Sequence, residues 1–213
     1  MELRFKHPFC MLVSGPTGSS KTWLIYDFIG DFSNTTTISK SGINILYCYG
    51  IWQATYEKPL PANVKVTFHS GFCYDYEDYR PDLVIIDDLM LELANDKGLV
   101  GMFTKNSHHK GISVIFLTQN LFFQSKEIRT ISLNSHYICL LKNPRDKLQV
   151  MTLGRQIFPG NSTFFVEAYE EAVKDPFSHL IIDMTSACPD ELRLRQRKVI
   201  NGKKGYIIFE MRK

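Results

Sequence analysis

Three short stretches hold residue types able to do phosphate chemistry. The first is Gly15-Pro16-Thr17-Gly18-Ser19-Ser20-Lys21-Thr22, set between two apolar runs. Small residues there let successive backbone N–H groups turn inward around an anion, and the helix that follows presents its positive end to the same charge. Lys21 is expected to reach the β- and γ-phosphates of ATP, and the Thr22 hydroxyl to hold Mg²⁺. The spacing matches G-x-x-x-x-G-K-[ST] at every position but one. Ser20 stands where the last glycine normally sits, and a serine is expected to follow the loop there with φ kept negative.

The second stretch, Leu83-Val84-Ile85-Ile86-Asp87-Asp88, is an apolar strand ending in two acids. A buried strand tip with that much negative charge makes sense where a cation and a water use it. Asp87 is expected to bind Mg²⁺ through its water shell, and Asp88 to polarise the water that attacks the γ-phosphate. The third, Ile115-Phe116-Leu117-Thr118-Gln119-Asn120, ends in neutral polar groups. Gln119 or Asn120, and less directly Thr118, would hydrogen-bond that water or the γ-phosphate. Phosphoryl transfer also needs extra positive charge at its transition state. Arg129, Arg145 and Arg155 are the downstream arginines; Arg129 is preferred, acting on a neighbouring subunit's nucleotide, with Arg145 read as pairing with Asp146 or capping a helix.

These residues need strands that end on one edge. Apolar, β-branched runs occur at 10–15, 43–50, 64–68, 82–88, 112–118, 136–141 and 179–184, mostly continuous rather than alternating, as in strands covered on both faces. Helix-length segments at 22–32, 93–109, 144–155 and 163–174 fall between them. The alternation predicts an α/β fold, a mostly parallel sheet flanked by helices. The tail, with Asn201-Gly202-Lys203-Lys204-Gly205 between two short apolar runs, predicts a C-terminal β-hairpin. No repeat or linker divides the chain, so 1–213 is read as one domain with 192–213 as its basic hairpin extension.

The 213 residues are 44% hydrophobic and 22% charged, ordinary for a globular chain. No apolar segment approaches the ~18 residues of a membrane span, and MELRFKHPFC lacks the apolar region of a secretory signal; an intracellular protein that uses no membrane is expected. Five scattered cysteines without a CxxC pair read as buried thiols in a reduced compartment rather than a zinc site. The net charge of +3 is unevenly spread. Residues 193–213 hold eight basic side chains against Glu210 alone, leaving the remainder net acidic. A basic end is expected to meet a polyanion or to form a solvated hairpin rim. The stretch Lys105–Lys110 is a second place where DNA could be gripped.

With GPTGSSKT, LVIIDD, LTQN and RTISLNS in that order, the chain resembles the FtsK/HerA-type P-loop ATPases. Within them it is most similar to the compact DNA-packaging ATPases of poxviruses, adenovirus-like elements and the Maverick/Polinton and adintovirus group. LRFKHPFCMLVSGPTGSSKT and HLIIDMTSACPDELRLR carry the likeness to the Polinton-type members. The resemblance implies a RecA-like core, a homo-oligomeric ring with nucleotide between subunits, and ATP-driven movement of double-stranded DNA into a preformed capsid. Lys21 and Thr22 then match phosphate and Mg²⁺ binding, Asp87 Mg²⁺ binding, Asp88 the catalytic acid position and Gln119 the sensor. Many relatives carry Asp-Glu where this chain has Asp87-Asp88. Such a protein would work inside an infected host cell, in the nucleus or a cytoplasmic virus factory, or travel with the virion, and would meet a capsid or portal-vertex protein. Two other classes fit the loop: a nucleoside-type kinase, and a scaffold that binds nucleotide with little hydrolysis.

Overall fold

The computed structural model describes residues 3–122 and 125–211. The first apolar run forms β1 (Cys10–Ser14), followed through the 15–20 loop by α1 (Lys21–Ile29) and a one-turn α2 (Phe32–Thr35). Two further strands, β2 (Ile43–Tyr49) and β3 (Val64–Ser70), precede β4 (Leu83–Asp87). The helix expected over 93–109 is broken into α3 (Met90–Leu93), α4 (Lys97–Gly101) and α5 (Ser107–Lys110), with a π-helical stretch Met102–Asn106 joining the last two. The break has a local cause. Asp96 caps α4 by accepting from the Leu99 N–H at 2.8 Å, which starts a new helix where the periodicity suggested a continuous one.

Next come β5 (Ser113–Thr118), α6 (Lys126–Leu133) and β6 (Tyr137–Leu141). The chain then makes α7 (Lys147–Ile157), α8 (Ser162–Ala172) and β7 (His179–Asp183), and ends in β8 (Leu194–Ile200) and β9 (Lys203–Ile208). The hairpin turn is Asn201-Gly202, both with positive φ (50° and 76°), as a two-residue primed turn requires.

All nine strands join one sheet in the order β3-β2-β4-β5-β1-β6-β7-β8-β9. From β3 to β6 every pairing is parallel; β7, β8 and β9 add antiparallel strands. Alternate residues of each central strand feed two cores, one on each face. Cys10, Leu12, Val84 and Ile86 face the core shared with α6, α7 and α8. Met11, Val13, Leu83 and Ile85 face the one shared with α1. Both faces being covered explains the continuous apolar runs. Cys10, Cys48 and Cys139 lie buried in β1, β2 and β6, none of them in a disulfide.

Five basic side chains of the tail form ion pairs within the chain. Arg193 pairs with Asp190, Arg195 with Asp183, Arg197 with Asp27 and Asp31, Lys198 with Asp175 and Lys204 with Asp27. These cations neutralise acids of the same chain and hold the hairpin on the body, as the hairpin-rim reading of this end expects. Arg212 and Lys213 lie outside the described residues.

Candidate functional site: a phosphate loop facing an acidic strand tip

Parallel order places the C-terminal ends of β1, β4 and β5 side by side, with β5 between the other two. The loop after β1 starts at Gly15, whose N–H donates to Thr118 O of β5 at 3.1 Å. Glycine is required at 15. A Cβ would stand 2.7 Å from Ser19 Oγ and 2.9 Å from Leu141 Cβ. Gly18 turns with φ 79°. Ser20 does too, at φ 68° and ψ 31°, so the expected negative φ is corrected. The backbone keeps the left-handed turn that a glycine would make easily, and the serine bears the steric cost. Ser20→Gly is therefore expected to raise stability by about 1 kcal/mol or less, the relieved turn outweighing the added freedom of the unfolded chain. Chemical denaturation checks this, and a loss of stability would contradict it.

Lys21 opens α1, and its Nζ donates to Gly15 O at 2.6 Å and Pro16 O at 3.1 Å, inside the loop. Burial lowers its pKa from the ordinary lysine value, while Asp87 and Asp88 work to raise it. Thr22 Oγ1 donates to Asp87 Oδ2 at 2.8 Å. One contact thus joins the first turn of α1 to the tip of β4, across the intervening β5.

Asp87 is buried, and its charge is met by hydroxyls. Besides Thr22, Tyr47 donates to Oδ2 at 2.8 Å and Tyr56 at 3.1 Å. Burial and the neighbouring carboxylate push both phenol pKa values upward, so both remain proton donors. Sequence reasoning missed these two tyrosines. The only trace of Tyr47 was a hydroxyl-bearing residue within an otherwise apolar run, and Tyr56 reaches in from a 3₁₀ turn (Ala54–Glu57) that carried no signal.

Asp88 behaves differently. It is exposed with φ 58°, so the chain turns sharply and the two acids separate, one buried and one facing solvent. Gly50 makes that turn possible, since a Cβ there would lie 2.4 Å from Asp88 O. A cavity of about 380 Å³ holds Thr17, Gly18, Lys21, Thr22, Asp87, Asp88 and Gln119 on its wall. Gln119 is exposed. Thr118 and Asn120 are committed to the turn itself: Thr118 Oγ1 donates to Asn120 O at 2.9 Å, and Asn120 Oδ1 accepts from Phe122 N at 2.9 Å. Of the three polar groups at that tip, Gln119 is the one on the cavity wall beside the acids.

The arginines separate as well. Arg129 is exposed on α6 and lines neither cavity at the loop; Arg155 is exposed on α7. Arg145 lines a cavity of about 750 Å³ together with Pro16, Thr17, Gly18, Ser19 and Gln119. Asp146 is not its partner; that carboxylate caps α7, accepting from Gln149 N at 3.2 Å. Of the Lys105–Lys110 stretch, the side chains of 105–108 lie outside the described residues, and Lys110 is paired with Glu77.

A triphosphate with Mg²⁺ suits this donor set. Ser19 Oγ is buried in the loop without a hydrogen-bond partner. The loop's polar side chains are hydroxyls and one ammonium, and the Asp87 and Asp88 carboxylates stand on the side where a metal would bind. No protein-family model matches the chain and no curated protein matches it. Solved structures do. The genome packaging NTPase B204 from Sulfolobus turreted icosahedral virus 2, in complex with sulfate, is 13% identical with a TM-score of 0.58 over 91% of this chain and 97% of that one. The cytoplasmic domain of the type VII secretion ATPase EccC from Thermomonospora curvata is 14% identical with a TM-score of 0.54, covering 88% of this chain and 25% of that one. The flagellar accessory protein FlaH from Methanocaldococcus jannaschii is 8% identical with a TM-score of 0.53, over 96% and 90% of the two chains. Identities this low speak for architecture alone, and the architecture is that of the RecA-like P-loop NTPases: a mostly parallel sheet flanked by helices, here extended by an antiparallel hairpin.

Proposed function

We propose that the chain is an ATPase that uses Mg²⁺ and ATP to move double-stranded DNA into a viral capsid. The observation that carries the hydrolytic part is the 2.8 Å contact between Thr22 and Asp87, with Asp88 exposed beside it on the same cavity wall. A bound Mg²⁺ supplies charge neutralisation of the phosphate oxygens. Thr22 and Asp87 would hold it, and Tyr47 and Tyr56 fix the carboxylate's orientation. Residues 15–20 and Lys21 surround the phosphates, Asp88 accepts a proton from the attacking water, and Gln119 orients that water. Arg145 brings positive charge from the same chain, and Arg129 is free to bring it from a neighbouring copy in a homo-oligomeric ring.

The DNA part rests on the motif resemblance to packaging ATPases of the Maverick/Polinton group, and the likeness in fold to a genome packaging NTPase supports it. Double-stranded DNA and a capsid or portal-vertex protein are then the partners, met inside an infected cell. The ATPase rate is expected to rise severalfold with linear duplex DNA. The stimulation should be lost between about 50 and 300 mM salt, because phosphate contacts are screened and counterions compete. A rate indifferent to duplex but raised by a nucleoside would favour the kinase reading instead.

A further inference from the structure

The acidic tip of β4 fixes which way a triphosphate lies in the loop. Asp87 and Thr22 would hold a metal, and with it the terminal phosphates, on the β4 side of β1. The α-phosphate and nucleoside must therefore leave on the other side, toward β6 and β7. There the sheet changes direction. Because β7 runs antiparallel to β6, pairing His179 with Leu141, the 173–178 loop entering β7 returns to the same edge as the phosphate loop.

At the tip of that loop stands Phe177. It is 61% exposed and has φ 62°, a left-handed conformation that a bulky side chain rarely adopts. No burial offsets that strain, so the ring's placement asks for another reason. Phe177 and Pro176 wall the cavity that contains Pro16–Ser19 and Arg145. They also wall a recess of about 610 Å³ floored by Ser20, Trp23 and Leu24 of the loop and α1. The ring thus stands beside the phosphate loop, at the mouth of a space where Trp23, Leu24, Pro176 and Val199 give apolar wall among polar and charged groups. The charged groups of the recess are paired to one another: Arg197 and Lys204 with Asp27, Lys198 with Asp175. Walls neutralised in this way suit a flat uncharged ring.

We propose that Phe177 stacks on the nucleobase of the bound nucleoside triphosphate, with Trp23 and Leu24 as the opposite wall. The proposal rests on the reading of residues 15–22 as a triphosphate site, and its test separates the two. ATP and inorganic tripolyphosphate, each with Mg²⁺, are titrated by calorimetry into the parent, Phe177→Asn, Phe177→Tyr and Lys21→Ala. Asparagine tolerates the left-handed backbone and removes the ring. Phe177→Asn should bind ATP roughly tenfold more weakly and tripolyphosphate as the parent does, since stacking acts only on a base. Phe177→Tyr should bind both as the parent does, and Lys21→Ala should lose both. Unchanged ATP affinity in Phe177→Asn, or an equal loss for the two ligands, overturns the stacking role while leaving the phosphate site standing. A parent that binds neither ligand overturns both readings.

Discussion

Asp88→Asn is expected to bind ATP within about twofold of the parent and to turn it over ~10²–10⁴ times more slowly, the range general-base assistance contributes. The structure explains why the effect should be confined to turnover. Asp88 is exposed on the cavity wall, and no hydrogen bond among the described residues engages its carboxylate. Asparagine keeps its size and its tolerance of the left-handed turn at φ 58°. The neighbouring Asp87, bonded to three hydroxyls, would be the wrong position for this experiment, because its loss disturbs Thr22, Tyr47 and Tyr56 together. Steady-state hydrolysis alongside equilibrium nucleotide binding decides the matter. Turnover equal to the parent's would remove Asp88 from the chemistry.

The second large effect is on stability. Asp183→Ala should cost about 3–5 kcal/mol, the usual result of stranding one member of a buried ion pair. Arg195 is among the most deeply buried side chains, 2% exposed, and its Nη2 lies 2.5 Å from Asp183 Oδ2. For a chain of this size the unfolding midpoint would fall by roughly 10 °C. Replacing both partners by apolar residues, Asp183→Leu with Arg195→Met, should recover most of the loss, because no charge is then left buried. Thermal and urea unfolding of both variants check this. If the double variant is as weak as the single one, the deficit comes from the Asp183 bonds to Thr185 and not from the ion pair.

Much of the architecture could be read from apolar runs. The 82–88 and 112–118 runs needed only their continuity and polar ends to be placed as buried strands with polar tips on one edge of the sheet. What escaped is set by distance along the chain. Tyr47 and Tyr56 reach Asp87 from 40 and 31 residues away, and local patterning carries no trace of such contacts. Charge composition left two readings open for the same reason: Arg197 and Lys204 meet Asp31 and Asp27 across 166 and 177 residues, so part of a run that looks basic in sequence is paired in space. Ser20 failed differently. The glycine-shaped turn belongs to the loop and persists with the wrong residue in it. Arg145 was legible as an arginine, but its place on a cavity wall with Pro16–Ser19 is set by the fold, more than 120 residues along the chain from that loop.

The helix α1 has the 15–20 loop at one end and a clamp at the other. Asp27, in its last turn, and Asp31, just past it, grip Arg197 and Lys204 of the hairpin. Nine residues of helix make a rod about 13 Å long. The loop before its first turn and the outer ribbon of β8 and β9 are thereby tied to one rod, with four charged groups as the linkage and ionic strength as the control on its strength.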